Sequence, residues 1–291
     1  MKVLTAFTNR LGNRSSNQDR CLVLERPDCL LLAVADGMGG HAGGDLAAEA
    51  TVDSLQHSLV RQRAPIAQPH AFLQEAFEAA HLQVIEAGRR CTPPINPRTT
   101  CVACLVQGNQ AYWAHLGDSR LYLLRNGTLV TRTRDHTPVE ELLQHGTISE
   151  NELRSHPLRN SVSRCLGGLR PLPAISFGAA ELRADDTLLL CSDGLWNAMP
   201  EEKLVAIPGY GDLQHSVDAL SNEAELATYP RSDNISAVAL RWLSATSPQK
   251  PRRSASPSSN AAQAESKDPL QQAIDDIHRA MLDYAAEMKK S

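Results

Sequence analysis

The chain has 291 residues, 42% of them hydrophobic and 21% charged, with a formal net charge of −4. That is enough polypeptide to bury a sizeable core in one large domain or two small ones. The slight acidity argues against a broad basic face for nucleic acid or anionic membrane, and no apolar run approaches the length of a membrane span.

The opening residues, "MKVLTAFTNR", alternate as a strand does, and their apolar stretch is too short for a signal peptide. Apolar, β-rich runs fall at 2–7, 21–25, 29–35, 100–107, 110–116, 120–125, 128–133, 186–191 and 234–243. "RLYLLRNGTLVTRT" predicts a hairpin, because Asn126-Gly127 is the favoured two-residue turn between alternating strands. Helical periodicity occupies 45–62, where Val52, Leu55 and Leu59 share a face, and again 70–89. Shorter helices are expected at 138–145, 149–155, 200–206 and 213–226. Tight turns between neighbouring strands imply antiparallel pairing, and the long helices come between strand groups. Residues 1–243 therefore read as one α+β domain with sheet covered by helix.

Composition shifts near residue 244. "SATSPQKPRRSASPSSNAAQAESKD" is rich in Ser, Pro and Ala and nearly free of large apolar residues, so 244–268 reads as a disordered linker. Its Lys250, Arg252 and Arg253 read as solvated charge. Over 269–291 an amphipathic helix is expected, with Leu270, Ile274, Ile277, Met281, Tyr284 and Met288 on a 4-3-4-3-4 seam. A helix this short is marginal alone in water. Two outcomes are open: it docks on its own domain, a second copy or a partner, or it frays.

The seven cysteines are an odd number and lie mostly in apolar runs, which fits reduced core thiols. Cys101 and Cys104 form a C-x-x-C, but three residues apart on a strand they face opposite sides, and no second pair completes a zinc site. The cytoplasm is the expected compartment.

The stretch "LLLAVADGMGGHAGG", 30–44, carries the chemistry. An apolar run ends on Asp36 and meets five glycines within eight residues. Such turns often cradle phosphate, yet this one lacks the Lys-Ser/Thr of a nucleotide-binding loop and opens with a carboxylate. The placement recurs at Asp19, Asp118, Asp193 and Asp233, each at the mouth of an apolar run. An aspartate there is most often a turn former bonding its own backbone. Recurrence of Asp-Gly, Gly-Asp-Ser and Ser-Asp-Gly points further. If the strands share a sheet, their ends gather the acids, and gathered carboxylates protonate or hold cations. Oxygen-only donors suit hard ions such as Mg²⁺ or Mn²⁺, and the glycines let backbone, including a carbonyl, come close.

Arg14-x-x-Asn17-Gln18-Asp19, the run Val34–His41 ("VADGMGGH"), Gly117-Asp118-Ser119-Arg120, Asp135-His136, Ser192-Asp193-Gly194-Leu195 and Asp233-Asn234 follow in this order. The set resembles the bacterial PP2C-type (PPM) metal-dependent protein serine/threonine phosphatases over about residues 3–243. Each motif is short, and the ordered set is what is specific. The resemblance implies a four-layer α/β/β/α sandwich of two antiparallel sheets flanked by helices. It implies two Mn²⁺ or Mg²⁺ ions at one edge, with Asp36 bridging, Gly37 giving a carbonyl, and Asp193 and Asp233 completing the first ion's protein ligands. Asp19 is implied to hold metal-bound water, and Asp118 with Asp193 a third ion found in bacterial members. Arg14 matches the arginine that binds substrate phosphate, a task suited to a guanidinium fork. Gln18 stands where eukaryotic relatives carry an acid, which implies weaker binding of one metal.

The activity implied is hydrolysis of phosphoserine and phosphothreonine in proteins by direct attack of a metal-bridging hydroxide, opposing a bacterial Ser/Thr kinase. His41 is a candidate proton donor to the leaving alkoxide, since a free imidazole titrates near working pH; a loop-stabilising role fits it equally. The stretch 136–168 resembles the family's flap beside the active site. Two other readings stand beside this one. A pseudo-phosphatase would bind phosphoproteins without turnover, but such proteins usually lose a metal acid, and Asp36, Asp193 and Asp233 are all present. A metal-dependent nuclease or phosphodiesterase would want a basic surface that the sequence does not offer.

Overall fold

The computed structural model describes residues 1–38, 43–63, 65–149, 152, 156–168, 171–207 and 212–244. Its strands are β1 (Lys2–Arg10), β2 (Asp19–Glu25), β3 (Cys29–Met38), β4 (Arg98–Thr99), β5 (Cys101–Gln107), β6 (Gln110–Leu116), β7 (Arg120–Arg125), β8 (Thr128–Arg132), β9 (Leu166–Gly167), β10 (Ser176–Glu181), β11 (Thr187–Cys191) and β12 (Ile235–Ser244). Its helices are α1 (Gly44–Val60), α2 (Pro69–Arg89), α3 (Pro138–Gln144), the single turn α4 (Asp193–Trp196), α5 (Glu201–Val205) and α6 (Leu213–Thr228). All lie within the unit Met1–Ser247. Apart from Ser244, the expected linker over 244–268 and the helix over 269–291 fall outside the described residues, as does most of the helix expected at 149–155.

A five-stranded sheet runs β1-β12-β11-β7-β8, and a seven-stranded one runs β10-β6-β5-β3-β4-β9, with β2 also paired to β3. Every pairing is antiparallel. Strand alternation explains the layers. In β3, Leu30, Leu32 and Val34 point at the other sheet, where they meet Leu121, Leu188, Leu190, Val238 and Leu240. Leu31, Ala33 and Ala35 point the other way, onto Ala48, Leu55, Phe72 and Phe77 of α1 and α2. The second sheet's outer face, with Tyr122, Leu189, Ala237 and Ala239, is covered by Leu195, Leu204, Leu213 and Val217. The result is helix, sheet, sheet, helix. Truncating a fully buried leucine between the sheets, such as Leu32→Ala, should cost about 2–5 kcal/mol.

The same period separates the two thiols of the C-x-x-C. Cys101 lies in the helix-facing layer and Cys104 between the sheets, and both are free. The predicted hairpin turn has both central residues left-handed, Asn126 at φ 51° and Gly127 at φ 71°.

Three strands go beyond the sequence reading. β4 and β9 have two residues each, too few to show alternation. β10, "SFGAAE", lacks β-branched residues and has Gly178 where a Cβ would lie 2.4 Å from the Trp113 ring. It is strand because β6 offers an edge and the glycine makes room for the indole.

Candidate metal centre

One end of the sandwich collects the acids, and the pairing registers show why. Asp19 begins β2 and sits directly opposite Asp36 of β3. β6 ends at Leu116, opposite Cys101 of β5, and the chain turns through Gly117 and Asp118 into β7. Cys191, the last residue of β11, pairs with Arg120 on one side and Ala237 on the other. Asp193, two residues beyond β11, and Asp233, two before β12, therefore emerge at the same end. Asp36, Asp19, Asp118, Asp193 and Asp233 come together as expected.

Backbone and hydroxyl contacts hold each acid. The Asp36 carbonyl accepts from Thr100 N–H at 2.8 Å and from Thr99 Oγ1 at 2.8 Å. A Cβ on Gly37 would stand 2.1 Å from the carbonyl oxygen of Gly44, so only glycine lets the start of α1 close against β3. Ser192 Oγ donates to Asp19 Oδ2 at 2.7 Å and accepts from Ser236 N–H at 3.0 Å. The Asn234 side chain ties together Gln18 N–H and the carbonyls of Leu11 and Ser16. Arg14, exposed at the rim, donates through Nη2 to Asp233 Oδ2 at 2.6 Å, while Asp233 Oδ1 accepts from Asn234 N–H at 2.8 Å.

The electrostatics are those of buried carboxylates whose desolvation and mutual repulsion outweigh the nearby charges of Arg14 and Arg120. Desolvation, helped by the charges of Asp19, Asp193, Asp118 and Asp233, lifts Asp36 well above the carboxylate range. Burial raises Asp19 to about 7 and Asp118 to about 8, with Asp193 adding in both cases. Asp193 rises to about 6, first by desolvation and then by Asp233. Asp36 and Asp193 are hemmed in by protein yet keep a partial opening to solvent. Among the described residues, no three His, Cys, Asp or Glu side chains close on one point as a ready-made cage. The acids feel one another as charges rather than as a finished coordination sphere, and Asp233 already spends both oxygens on Arg14 and Asn234.

The donor chemistry fits hard divalent cations. Every convergent side chain offers oxygen, none offers sulfur or imidazole, and the opening gives an ion a way in. A cation placed here would relieve repulsion that protons otherwise relieve.

Several supporting residues escaped the sequence reading. Thr99 and Thr100 look like ordinary strand-end residues in sequence, while Ser192 and Asn234 stand inside the ordered motifs with no role of their own assigned. Trp196 Nε1–H donates to the Asp118 carbonyl at 2.9 Å. Arg120 is locked to Asp135 at 2.8 and 2.7 Å, with its guanidinium carbon 3.5 Å from the Trp196 ring centroid. His136 Nδ1 accepts from Gly117 N–H at 3.1 Å; burial, then the charges of His115 and Arg164, pushes it down to about 3, so it stays neutral. A signal was available: Gly117-Asp118-Ser119-Arg120, Asp135-His136 and Ser192-Asp193-Gly194-Leu195 are three of the ordered motifs, and the first two touch each other and Trp196, the residue after the third. Beside this contact lies a cavity of about 630 Å³ lined by Arg120, Asp135, Thr137, Arg159, Trp196 and Glu201 among others, and by none of the five acids. His41 falls outside the described residues.

An antiparallel α/β/β/α sandwich with acids at one edge is shared with known proteins. The family model for protein phosphatase 2C matches residues 8–231. A serine/threonine phosphatase stp from Listeria welshimeri is 34% identical over 239 residues, which is 79% of this chain and 92% of that protein. The Mycobacterium tuberculosis serine/threonine phosphatase PstP/Ppp superposes with a TM-score of 0.73 at 32% identity, covering 83% of this chain and 99% of the other. The catalytic domain of PstP in complex with two manganese ions gives a TM-score of 0.70 at 31% identity, covering 83% and 98%. The chain belongs to the protein phosphatase 2C family.

Proposed function

We propose that this chain is a protein serine/threonine phosphatase that works with two Mn²⁺ or Mg²⁺ ions held in the aspartate cluster. The observation that carries the reading is the convergence of Asp19, Asp36, Asp118 and Asp193, acids pushed toward the protonated state first by burial and then by one another's charges, with the exposed guanidinium of Arg14 at the rim. Asp36, the Gly37 carbonyl, Asp193 and Asp233 would hold the two ions. Asp19 would steady water beside them, and Asp118 with Asp193 would hold a third ion. When bound, such ions lower the pKa of water from about 15.7 toward 7 and offset charge on a phosphoryl group.

The chain's own residues do the rest. Arg14 presents a fork to two phosphate oxygens, and its bond to Asp233 keeps that fork at the mouth of the site. Thr99 and Thr100 fix the Asp36 peptide so that its carboxylate cannot drift from Asp19. We assign proton donation to the leaving alkoxide to His41, whose free pKa suits the task. His41→Ala should then slow turnover of a phosphothreonine peptide more than that of an aryl phosphate, because a phenolate leaves without help. The substrates are phosphorylated proteins in the cytoplasm, opposite a Ser/Thr kinase. Seven thiols with no disulfide suit that reducing compartment. Among the described residues no helix is long and apolar enough to cross a membrane.

The test uses purified protein, an aryl phosphate and a phosphothreonine peptide, with Mn²⁺ or with chelator. Turnover should require the metal. Turnover that persists in chelator overturns the assignment. The presence of Asp36, Asp193 and Asp233 in the sequence supports turnover over a binding protein without it.

A further inference from the structure

We infer that Trp196 and Arg120 are positioning residues that set the separation of Asp118 and Asp193, and so the affinity of the cation those two acids share. The inference rests on the proposed assignment of that pair as ligands.

Asp118 lies in the turn between β6 and β7, and that turn is anchored at four points. His136 accepts from Gly117 N–H at 3.1 Å and donates its own N–H to the Gly117 carbonyl at 2.9 Å. Ser119 Oγ meets Thr100 Oγ1 at 2.7 Å. The fourth anchor is the 2.9 Å bond from Trp196 Nε1 to the Asp118 carbonyl. It differs from the others in origin, because Trp196 closes the one-turn helix α4 that Asp193 opens. A single helical turn is a stiff spacer of about 5 Å. The indole is thus a strut with one end on the Asp193 turn and the other on the Asp118 peptide.

Arg120 keeps the strut upright. Its guanidinium carbon sits over the indole, 3.5 Å from the ring centroid, and the group is held by both oxygens of Asp135 and by a 3.1 Å bond to Tyr122 OH. A buried ion pair seldom stabilises a fold more than well-packed apolar side chains would. What a planar fork adds is direction. Here the direction it fixes is that of a side chain that links the Asp193 turn to the Asp118 peptide.

The test measures Mn²⁺ binding to the full chain by calorimetry and electron paramagnetic resonance, for wild type, Asp118→Asn, Trp196→Phe and the double variant. Phe keeps an aromatic face for Arg120 and loses the N–H together with the five-membered ring that carries it. Trp196→Phe should weaken the weakest class of Mn²⁺ roughly tenfold, the loss typical when an outer hydrogen-bond partner of a ligand is removed. Asp118→Asn should abolish that same class, and the double variant should lose no more than Asp118→Asn alone. In chelator, Trp196→Phe should melt within roughly 4 °C of wild type, the scale of one lost hydrogen bond in a domain of this size. Arg120→Lys, which keeps the charge but neither the fork nor the planar group against the indole, should weaken the same class less, because the Trp196 N–H remains. Wild-type Mn²⁺ binding by Trp196→Phe overturns the inference, and so does equal weakening of every class with a large loss of melting temperature, which would mark a packing role. If Asp118→Asn leaves every class intact, the ligand assignment itself fails, and the phosphatase reading can still stand on the other acids.

Discussion

Asp135 and Asp186 are buried about as deeply as Asp19 and Asp118, at 9% and 0% exposure against 1% and 4%, yet the two pairs live in opposite surroundings. Asp135 receives both prongs of Arg120, and Asp186 receives Arg125 at 2.8 and 2.7 Å as well as Arg183 N–H at 2.8 Å. Their counter-charges are folded in. Asp19 and Asp118 instead face Asp36 and Asp193, and among the described residues neither makes an ion pair: Arg14 is bonded to Asp233 at the rim, and Arg120, whose charge Asp118 feels, is bonded to Asp135. One residue type thus plays two parts. Where the chain brings its own cation, the aspartate completes a structural pair; where it does not, the deficit is a demand for a cation from outside.

The largest expected effect breaks that contrast directly. Asp36→Asn should lower Mn²⁺-dependent turnover of an aryl phosphate by about three orders of magnitude or more, beyond the roughly 10–100-fold lost with an outer partner of a ligand. In chelator the same variant should melt no lower than wild type, because the neutral amide carries neither the buried charge nor the need for a proton that Asp36 has there. Arg125→Leu should do the reverse. It strands Asp186 without its partner and should cost about 3 kcal/mol in urea unfolding, while turnover per folded molecule is kept. If Asp36→Asn proves the more destabilising of the two in chelator, the cluster is a structural network and the contrast collapses.

How far this division is legible in sequence varies by residue. Asp36 and Asp193 stand out because an acid ending the runs "LLLAVA" and "LLLCS" breaks a strongly apolar pattern. The two sheets are also readable, since the continuous apolar run of β3, buried on both faces, and the Asn126-Gly127 turn are local signals. The short strands β4 and β9, and the glycine-bearing β10, are not. They are strands only because a neighbour's edge accepts them, a fact that resides in tertiary pairing. Nor does sequence say which aspartate gets an arginine. Arg120 and Asp135 are fifteen residues apart, and Arg125 and Asp186 sixty-one, so nothing local marks either pair. Trp196 could be found only by asking what an indole N–H does once it is buried beside a turn.

A smaller effect sharpens the comparison through pH. Asp19, Asp118 and Asp193 are raised in the fold to about 7, about 8 and about 6, against ordinary values near 4. A carboxyl raised in the folded state binds protons more tightly folded than unfolded. Its stabilising share is therefore full below the unfolded value and is lost as pH climbs through the folded one. In chelator, the melting temperature should fall between pH 5 and pH 8.5, by roughly 2–4 °C for each kcal/mol withdrawn. Saturating Mn²⁺ should flatten or invert that slope, since the ion replaces the protons. The half-saturating Mn²⁺ concentration should fall over the same window as competition from protons fades. A chelated protein whose melting temperature is level across this range would mean that the acids do not share one another's field.

The smallest effect supplies the baseline. Lys203 of α5 and Glu223 of α6 also pair, but both side chains are about half exposed, at 50% and 48%. Water already solvates each charge, so little is gained by the contact and little desolvation has to be offset. Lys203→Ala should change unfolding stability by less than about 1 kcal/mol, and that change should shrink further in 1 M salt. Turnover should be untouched. Ranking Asp36→Asn, Arg125→Leu and Lys203→Ala in chelator then orders three kinds of charge by surroundings alone: a crowded acid whose removal is neutral or favourable, a buried pair whose breaking is costly, and a surface pair that hardly registers. If Lys203→Ala costs as much as Arg125→Leu, burial is not what separates them, and the inference that the acid cluster wants an outside cation loses its physical basis.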